Sequence, residues 1–216
     1  AFAQDEIALG ARALLTVGVR YDNVSYYYKN YMDPAIDPTE NGSKTFAQAT
    51  PKIGLSWKLG ETRSFYANLG GGIEVPAGNE TDPYSAQGHT AINPLLDPIR
   101  TTTIEAGLKS VSERVGPFQL TGDLAVYNTE ITNDLQPYNE GRFYMSAGKS
   151  RRTGVELGLS GETQGGVFAS LAFTASRNQY LDYTVDSSLF KTGGQRAVFN
   201  GNKVPGITGV MAQAEL

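Results

Sequence analysis

The sequence predicts an all-β chain: about nine antiparallel strands of an up-and-down transmembrane β-barrel, a segment that leaves the barrel incomplete. Three observations carry that expectation. Apolar residues recur at every second position in one segment after another, the period of a strand with one apolar face. Short turns alternate with long polar connections, the pattern of a barrel whose turns face the periplasm and whose loops face outside the cell. Glycine is abundant, at 25 of 216 residues, and it falls repeatedly on the polar side of the strands, where a soluble sheet gains nothing from it.

Residues 2–9 read as a first strand that turns at Gly10 and Ala11, in preference to the scar of a signal-peptidase site that AFAQDE also suggests. In ALLTVGVRYDNV, Leu15, Val17, Val19 and Tyr21 oppose Thr16, Gly18, Arg20 and Asp22. In TPKIGLSWKL, Ile53, Leu55, Trp57 and Leu59 oppose Lys52, Gly54, Ser56 and Lys58. Residues 64–73 set Phe65, Ala67, Leu69 and Ile73 against Tyr66, Asn68 and Gly70. Residues 103–110 and 118–128 repeat the pattern, with Ile104, Ala106 and Leu108, then Leu120, Leu124 and Val126, as the apolar sets. Thr153, Val155, Leu157 and Leu159 form the next set, Val167, Ala169, Leu171 and Phe173 another, and a last strand begins near Ile207. No segment reads as a helix. LGAR, GETR, RVGP and TQGG are the short turns; residues 25–46, 75–100, 129–147 and 178–204 are the long loops.

Several function classes fall away. There is no cysteine and one histidine, His89, so Cys/His zinc sites are excluded and histidine-based nucleophilic catalysis has a single candidate, in a polar loop without a G-x-S-x-G motif. Neither an enzyme nor a metal site nor a cofactor is expected. The net charge of −4 argues against a nucleic-acid surface. Gly148, Lys149 and Ser150 look like half of a phosphate-binding loop, but that motif needs a glycine where Phe143 stands and a helix after it, whereas a strand period follows. No apolar run reaches the roughly 20 residues of a membrane helix, which leaves membrane strands of about 9 to 11 residues open. Tyr21, Tyr26, Tyr27, Tyr28 and Tyr31 cluster where the second strand leaves its apolar stretch. That suits a girdle at the membrane boundary, or else a platform for stacking a ligand.

In order, LLTVGVRYDNV, TPKIGLSWKL, SFYANLGGGIEVPAGNE, TTTIEAGLKS, LAVYNTEITNDL, YMSAGKSRRTGVELGLSG and GNKVPGI resemble the barrel of TonB-dependent outer-membrane receptors, over nearly the whole chain. The most specific piece is AGKSRRTGVEL, preceded by Ser146 where many members carry asparagine. In general character the chain is most similar to receptors for ferric siderophores and other iron complexes.

The resemblance implies a bacterial outer-membrane protein that binds a scarce solute, commonly an iron chelate, outside the cell. It implies passage inward when TonB pulls on a plug folded inside the barrel. Residues 1–216 are expected to be a middle section of such a barrel, with no plug domain, because about nine strands fall short of the family's 22 or so. Outer-membrane lipid, the iron chelate and, through a plug outside this chain, TonB are the expected partners. The candidate ligand contacts are lumen-facing Arg20 and Arg152 and the loop residues Tyr27, Tyr28, Tyr84, Arg100, Tyr138 and Arg142, since guanidinium forks and aromatic faces suit carboxylate and catecholate groups. The competing expectation is that lumenal charges pair with one another or with the plug. A passive porin and a soluble β-sheet binding module remain alternatives.

Overall fold

The structure, a computed structural model, describes residues 1–82, 90–138, 143–146, 148–186 and 196–216. It contains the strands β1 (Phe2–Leu9), β2 (Ala13–Tyr28), β3 (Gly42–Lys58), β4 (Arg63–Glu74), β5 (Ile99–Val115), β6 (Phe118–Thr132), β7 (Leu135–Tyr138), β8 (Phe143–Ser146), β9 (Lys149–Thr163), β10 (Phe168–Asp182), β11 (Thr184–Asp186), β12 (Arg196–Val198) and β13 (Val210–Glu215). One 3-10 turn, Gly78–Glu80, is the helical element among the described residues. Nine strands form a single antiparallel sheet in the order β1-β2-β3-β4-β5-β6-β9-β10-β13, and the hairpins β7-β8 and β11-β12 stand apart from it in the long connections. Among the described residues β1 and β13 each have one neighbour, so the sheet is open.

Register shows why the alternation matters. One cross-strand row reads Leu9, Ala13, Trp57, Phe65, Leu108, Leu124, Leu157, Phe173 and Ala212, one residue per strand. The next row on the same face reads Ile7, Leu15, Leu55, Ala67, Ala106, Val126, Val155, Ala175 and Val210. Every residue in both rows is apolar, and many, such as Val126 and Leu108, are about half exposed in this chain. A water-facing sheet does not leave such a surface bare. A slip of one residue in any pairing would send that strand's apolar set to the opposite face, so the hydrocarbon itself selects the register.

The apolar band crosses the rows obliquely. On β2 it extends through Val17, whose row on β6, β9 and β10 has already turned polar at Asn128, Thr153 and Arg177. On β9 it extends the other way to Leu159, whose row on β5 and β4 is Ser110 and Arg63. The band's centre moves from Val17 on β2 (Leu15, Val17, Val19) to Leu157 on β9 (Val155, Leu157, Leu159), whose row meets β2 at Ala13. That drift of about four residues over five strand steps is equivalent to a strand tilt of roughly 30° at ~3.3 Å per residue and ~4.8 Å per step. Strands lying flat in one layer at that slant are what a tilted membrane barrel wall requires.

Three of the four short turns place a glycine at positive φ, Gly10 at 75°, Gly116 at 61° and Gly166 at 79°, where other residues are strained. The strands outrun their alternating stretches at the opposite end. β2 continues to Tyr28 and β3 begins at Gly42, β5 begins at Ile99, β6 runs to Thr132, and β10 to Asp182, all inside what the sequence suggested were loops. Hydrogen-bonded pairing persists there beyond the apolar band, with the lumenal face packed under segments of the long connections, so no apolar period marks it. Buried apolar side chains gather at this end: Phe46, Leu96, Ile131, Met145, Tyr180 and Val204.

In the intact protein in lipid vesicles, Val155→Arg, in the middle of the apolar band, is expected to cost about 2–4 kcal/mol, and Glu156→Gln, on the other face, much less. Urea titration read by heat-modifiable electrophoresis measures both.

Candidate functional site: the polar face and its long-loop mouth

The face opposite the apolar rows is the lumenal face of the barrel wall. One of its rows holds Gln4, Gly18, Lys52, Gly70, Thr103, Thr129, Arg152 and Asn178, and the next holds Asn68, Glu105, Tyr127 and Gly154. Its glycines have a local cause that the composition does not reveal. A Cβ on Gly107 would lie 2.6 Å from the Tyr66 ring, one on Gly154 2.6 Å from the Tyr127 hydroxyl, and one on Gly158 2.6 Å from Asp123 Oδ1. Each glycine thus lets a large side chain of the adjacent strand lie flat along the wall, and aromatic rings cover backbone that glycine leaves bare. Lys109 Nζ sits 5.1 Å from the Tyr66 ring centroid, within cation–π range.

Toward the long-loop rim the lumenal face is covered by a strap, residues 90–98. Lys44, on the lumenal side of β3, donates to the carbonyls of Asn93 and Pro94, each at 3.4 Å, and of Leu96 at 2.5 Å. Burial pushes the Lys44 ammonium pKa down, while Asp97 opposes that fall. Asn93, fully buried, donates through Nδ2 to the Tyr144 carbonyl at 2.7 Å and accepts from the Leu95 N–H at 2.9 Å. The Asp97 N–H donates to Ser146 Oγ at 2.9 Å, tying the strap to β8. Beside it, Tyr26 donates through its hydroxyl to the Pro76 carbonyl at 2.7 Å and meets the Phe46 ring edge-on.

A second cluster surrounds Arg152. Asp134 follows the left-handed Asn133 (φ 61°) and faces Arg152; Ser150 Oγ donates to Asp134 Oδ2 at 3.4 Å. Burial raises the Asp134 carboxyl above its ordinary range, with Arg152 and Ser150 pulling it back. The Arg152 Nε is enclosed and has no hydrogen-bond partner among the described residues. Asn178 and Tyr180 are buried next to it on β10. A guanidinium with unspent donors, held at the mouth among polar side chains, suits an anionic oxygen ligand.

The double arginine of the sequence divides between the faces. Arg151 points outward and donates to Glu130 Oε1 at 2.6 Å, and Lys149 Nζ lies 2.5 Å from the same carboxylate. Those two cations hold the Glu130 carboxyl below the usual range, Lys149 first. Arg152 points inward, as expected. Arg20 is also lumenal, and its Nε donates to Asp22 Oδ1 at 2.9 Å, so this charge is paired within its own strand. Arg20 and Arg152 lie on strands five steps apart, roughly 24 Å along the wall at ~4.8 Å per step.

Four residues expected in loops lie in strands instead: Tyr27 and Tyr28 end β2, Arg100 is in β5 and Tyr138 in β7. For Tyr27, Tyr28 and Arg100 the reason is the persistence of pairing beyond the apolar band, whereas Tyr138 belongs to the separate β7-β8 hairpin. Tyr28 shares the lumenal face with Arg20, whereas Tyr27 and Arg100 share the outward face, and Tyr27 is 82% exposed. The tyrosine cluster is split in the same way, Tyr21 and Tyr27 outward, Tyr26 and Tyr28 inward, so it is neither wholly girdle nor wholly platform. Tyr84, Arg142 and His89 lie outside the described residues. Lys44, Asn93 and Asp134, which organise the mouth, had no signal in the sequence, because each sits in polar sequence without period or motif.

The geometry agrees with what the chain is similar to. Residues 1–215 match the family described as "TonB dependent receptor-like, beta-barrel". A probable TonB-dependent siderophore receptor, PiuA of Acinetobacter baumannii, is 25% identical over 220 residues, covering 94% of this chain and 26% of its own length. This chain therefore spans about a quarter of that relative. Among solved structures, the copper transporter OprC superposes with a TM-score of 0.66 at 18% identity, covering 83% of this chain and 27% of the other. The ferric-catecholate import receptor Fiu of K12 E. coli superposes with a TM-score of 0.61 at 21% identity, covering 86% and 28% respectively. An open antiparallel sheet with a continuous apolar band on one face and short turns at one rim, matched along residues 1–215, makes this chain a member of the TonB-dependent receptor β-barrel family of the bacterial outer membrane.

Proposed function

We propose that this chain is a section of barrel wall in an outer-membrane receptor that imports a scarce anionic solute, an iron chelate of the siderophore type, under TonB control. The observation that carries this is the pairing of two uninterrupted apolar rows with a charged, tyrosine-lined opposite face in one nine-stranded sheet. Flanking strands in the intact protein would cover the open edges of β1 and β13, and a plug would occupy the lumenal side. A soluble module would have to bury the apolar rows against something else, and nothing among the described residues packs on them.

Arg152 is the best-supported ligand contact, because its guanidinium stands on the lumenal face near the mouth and, unlike Arg20 and Arg151, makes no ion pair within 4.0 Å among the described residues. Arg20, already paired with Asp22, is a weaker one, and Tyr28 flanks it on the same face. Tyr27 and Arg100 face outward and suit the lipid boundary better than a solute. Tyr84, Tyr138 and Arg142 stay candidates by sequence position alone. Transport is then binding at the mouth followed by release along the lumenal wall, with no bond made or broken in the solute. The strap over Lys44 narrows that mouth and must shift, or be bypassed, as solute enters.

Uptake of radiolabelled ferric chelates by cells carrying the intact receptor tests this. It should require TonB, Arg152→Gln should weaken chelate binding about tenfold, in line with the loss of a charge-assisted contact, and Tyr27→Ala should leave it unchanged. Uptake that proceeds without TonB would point to a passive pore instead. Lys44→Ala should raise amide exchange at Leu95 and Asp97 while the heat-modifiable barrel is retained, because the strap loses three carbonyl contacts but the sheet loses none.

A further inference from the structure

Strand β5 does not run straight to its turn. The β5–β6 register shifts between Ser110 and Glu113, and Ser112 sits at φ 54°. This bulge puts Glu113, opposite Leu120, on the same outward face as Ser110, where plain alternation would send it to the lumen. Arg63 of β4 stands opposite Ser110 on that face and grips the carboxylate with both Nε, at 2.6 Å, and a terminal nitrogen. Ser110 Oγ donates to the same carboxylate at 2.9 Å. The ion pair stays open to its surroundings: the Arg63 side chain is 61% exposed and that of Glu113 24%. Among the described residues, three Arg63 N–H groups and one acceptor position on Glu113 are still unused. Directly above it the small cross-strand pair Ser110 and Gly122 leaves a dent of about 390 Å³, walled by Leu59, Leu108, Leu124, Leu157 and Leu159.

We propose that this dent and ion pair bind one phospholipid of the periplasmic leaflet whose head group carries a phosphate and a primary ammonium. An acyl chain lies between the leucines, the phosphate takes the free N–H groups of Arg63, and the ammonium donates to Glu113. The two charges at the rim complement the two charges of that head group in kind and order, and the apolar dent beside them fits its chain. A quaternary ammonium has no proton to donate to Glu113, and a head group with phosphate alone leaves that carboxylate unanswered. The site rests on the membrane-barrel assignment of this chain.

The test uses the intact receptor in nanodiscs of phosphatidylethanolamine, phosphatidylcholine and phosphatidylglycerol in equal parts with identical acyl chains, and native mass spectrometry of the lipids retained. Phosphatidylethanolamine should be retained about five- to tenfold over phosphatidylcholine, the size of one net hydrogen bond at a partly exposed site. Glu113→Gln should bring that ratio to about one, and Arg63→Gln should lower retention of all three lipids. Equal retention of phosphatidylethanolamine and phosphatidylcholine by an inserted receptor, or a preference that survives Glu113→Gln, overturns the site. A receptor that fails to enter the discs overturns the barrel assignment, and the site with it.

Discussion

Inside a hydrocarbon layer a backbone N–H or C=O has no water to turn to, and each must find its partner in the chain. The nine-stranded sheet meets that demand strand by strand, and much else about the molecule follows from it. Continuous pairing fixes the period at two, the period separates two faces, and the hydrocarbon requires one of them to be apolar in every row it touches. The oblique course of the apolar band is the same constraint seen across strands, since a wall of tilted strands meets a level membrane at a different residue on each.

Freed from that requirement on the lumenal side, the sequence uses the wall differently. Glycines open room for Tyr66, Tyr127 and Asp123 to lie along it, and charges stand beside one another as Arg20 does beside Asp22. Beyond the apolar band, pairing goes on without contact with lipid. There the chain builds a small conventional core, with Phe46, Leu96 and Met145 buried and the strap held through Lys44 and Asn93. Two kinds of folding meet in one chain, a lipid-dictated wall and a water-dictated mouth.

This division also decides what was legible in the sequence. The wall was legible: the alternation in GVELGLSG or KIGLSWKL placed each side chain on the face it occupies, and the short turns marked the strand ends. The mouth was not. Tyr27, Tyr28 and Arg100 looked like loop residues because alternation had stopped, although hydrogen bonding had not. Partners such as Lys44 with the carbonyl of Leu96, or Asn93 with that of Tyr144, join polar residues about 50 positions apart, and no local pattern encodes such a meeting. The bulge at Ser112 was equally silent, since Val111, Ser112 and Glu113 carry neither a glycine nor a turn motif.

In the inserted receptor one chain face meets lipid and the other the lumen. The chain has no cysteine, so single cysteines at residues 155, 156, 157, 159 and 160 of β9 in the intact, membrane-inserted receptor, cysteine-free elsewhere, can each carry a spin label. Collision with oxygen, which concentrates in lipid, should peak at Val155, Leu157 and Leu159. Collision with a water-soluble nickel chelate should peak at Glu156 and Ser160. Equal accessibility to both reagents along the strand, or a maximum of the nickel signal at Leu157, would contradict the account.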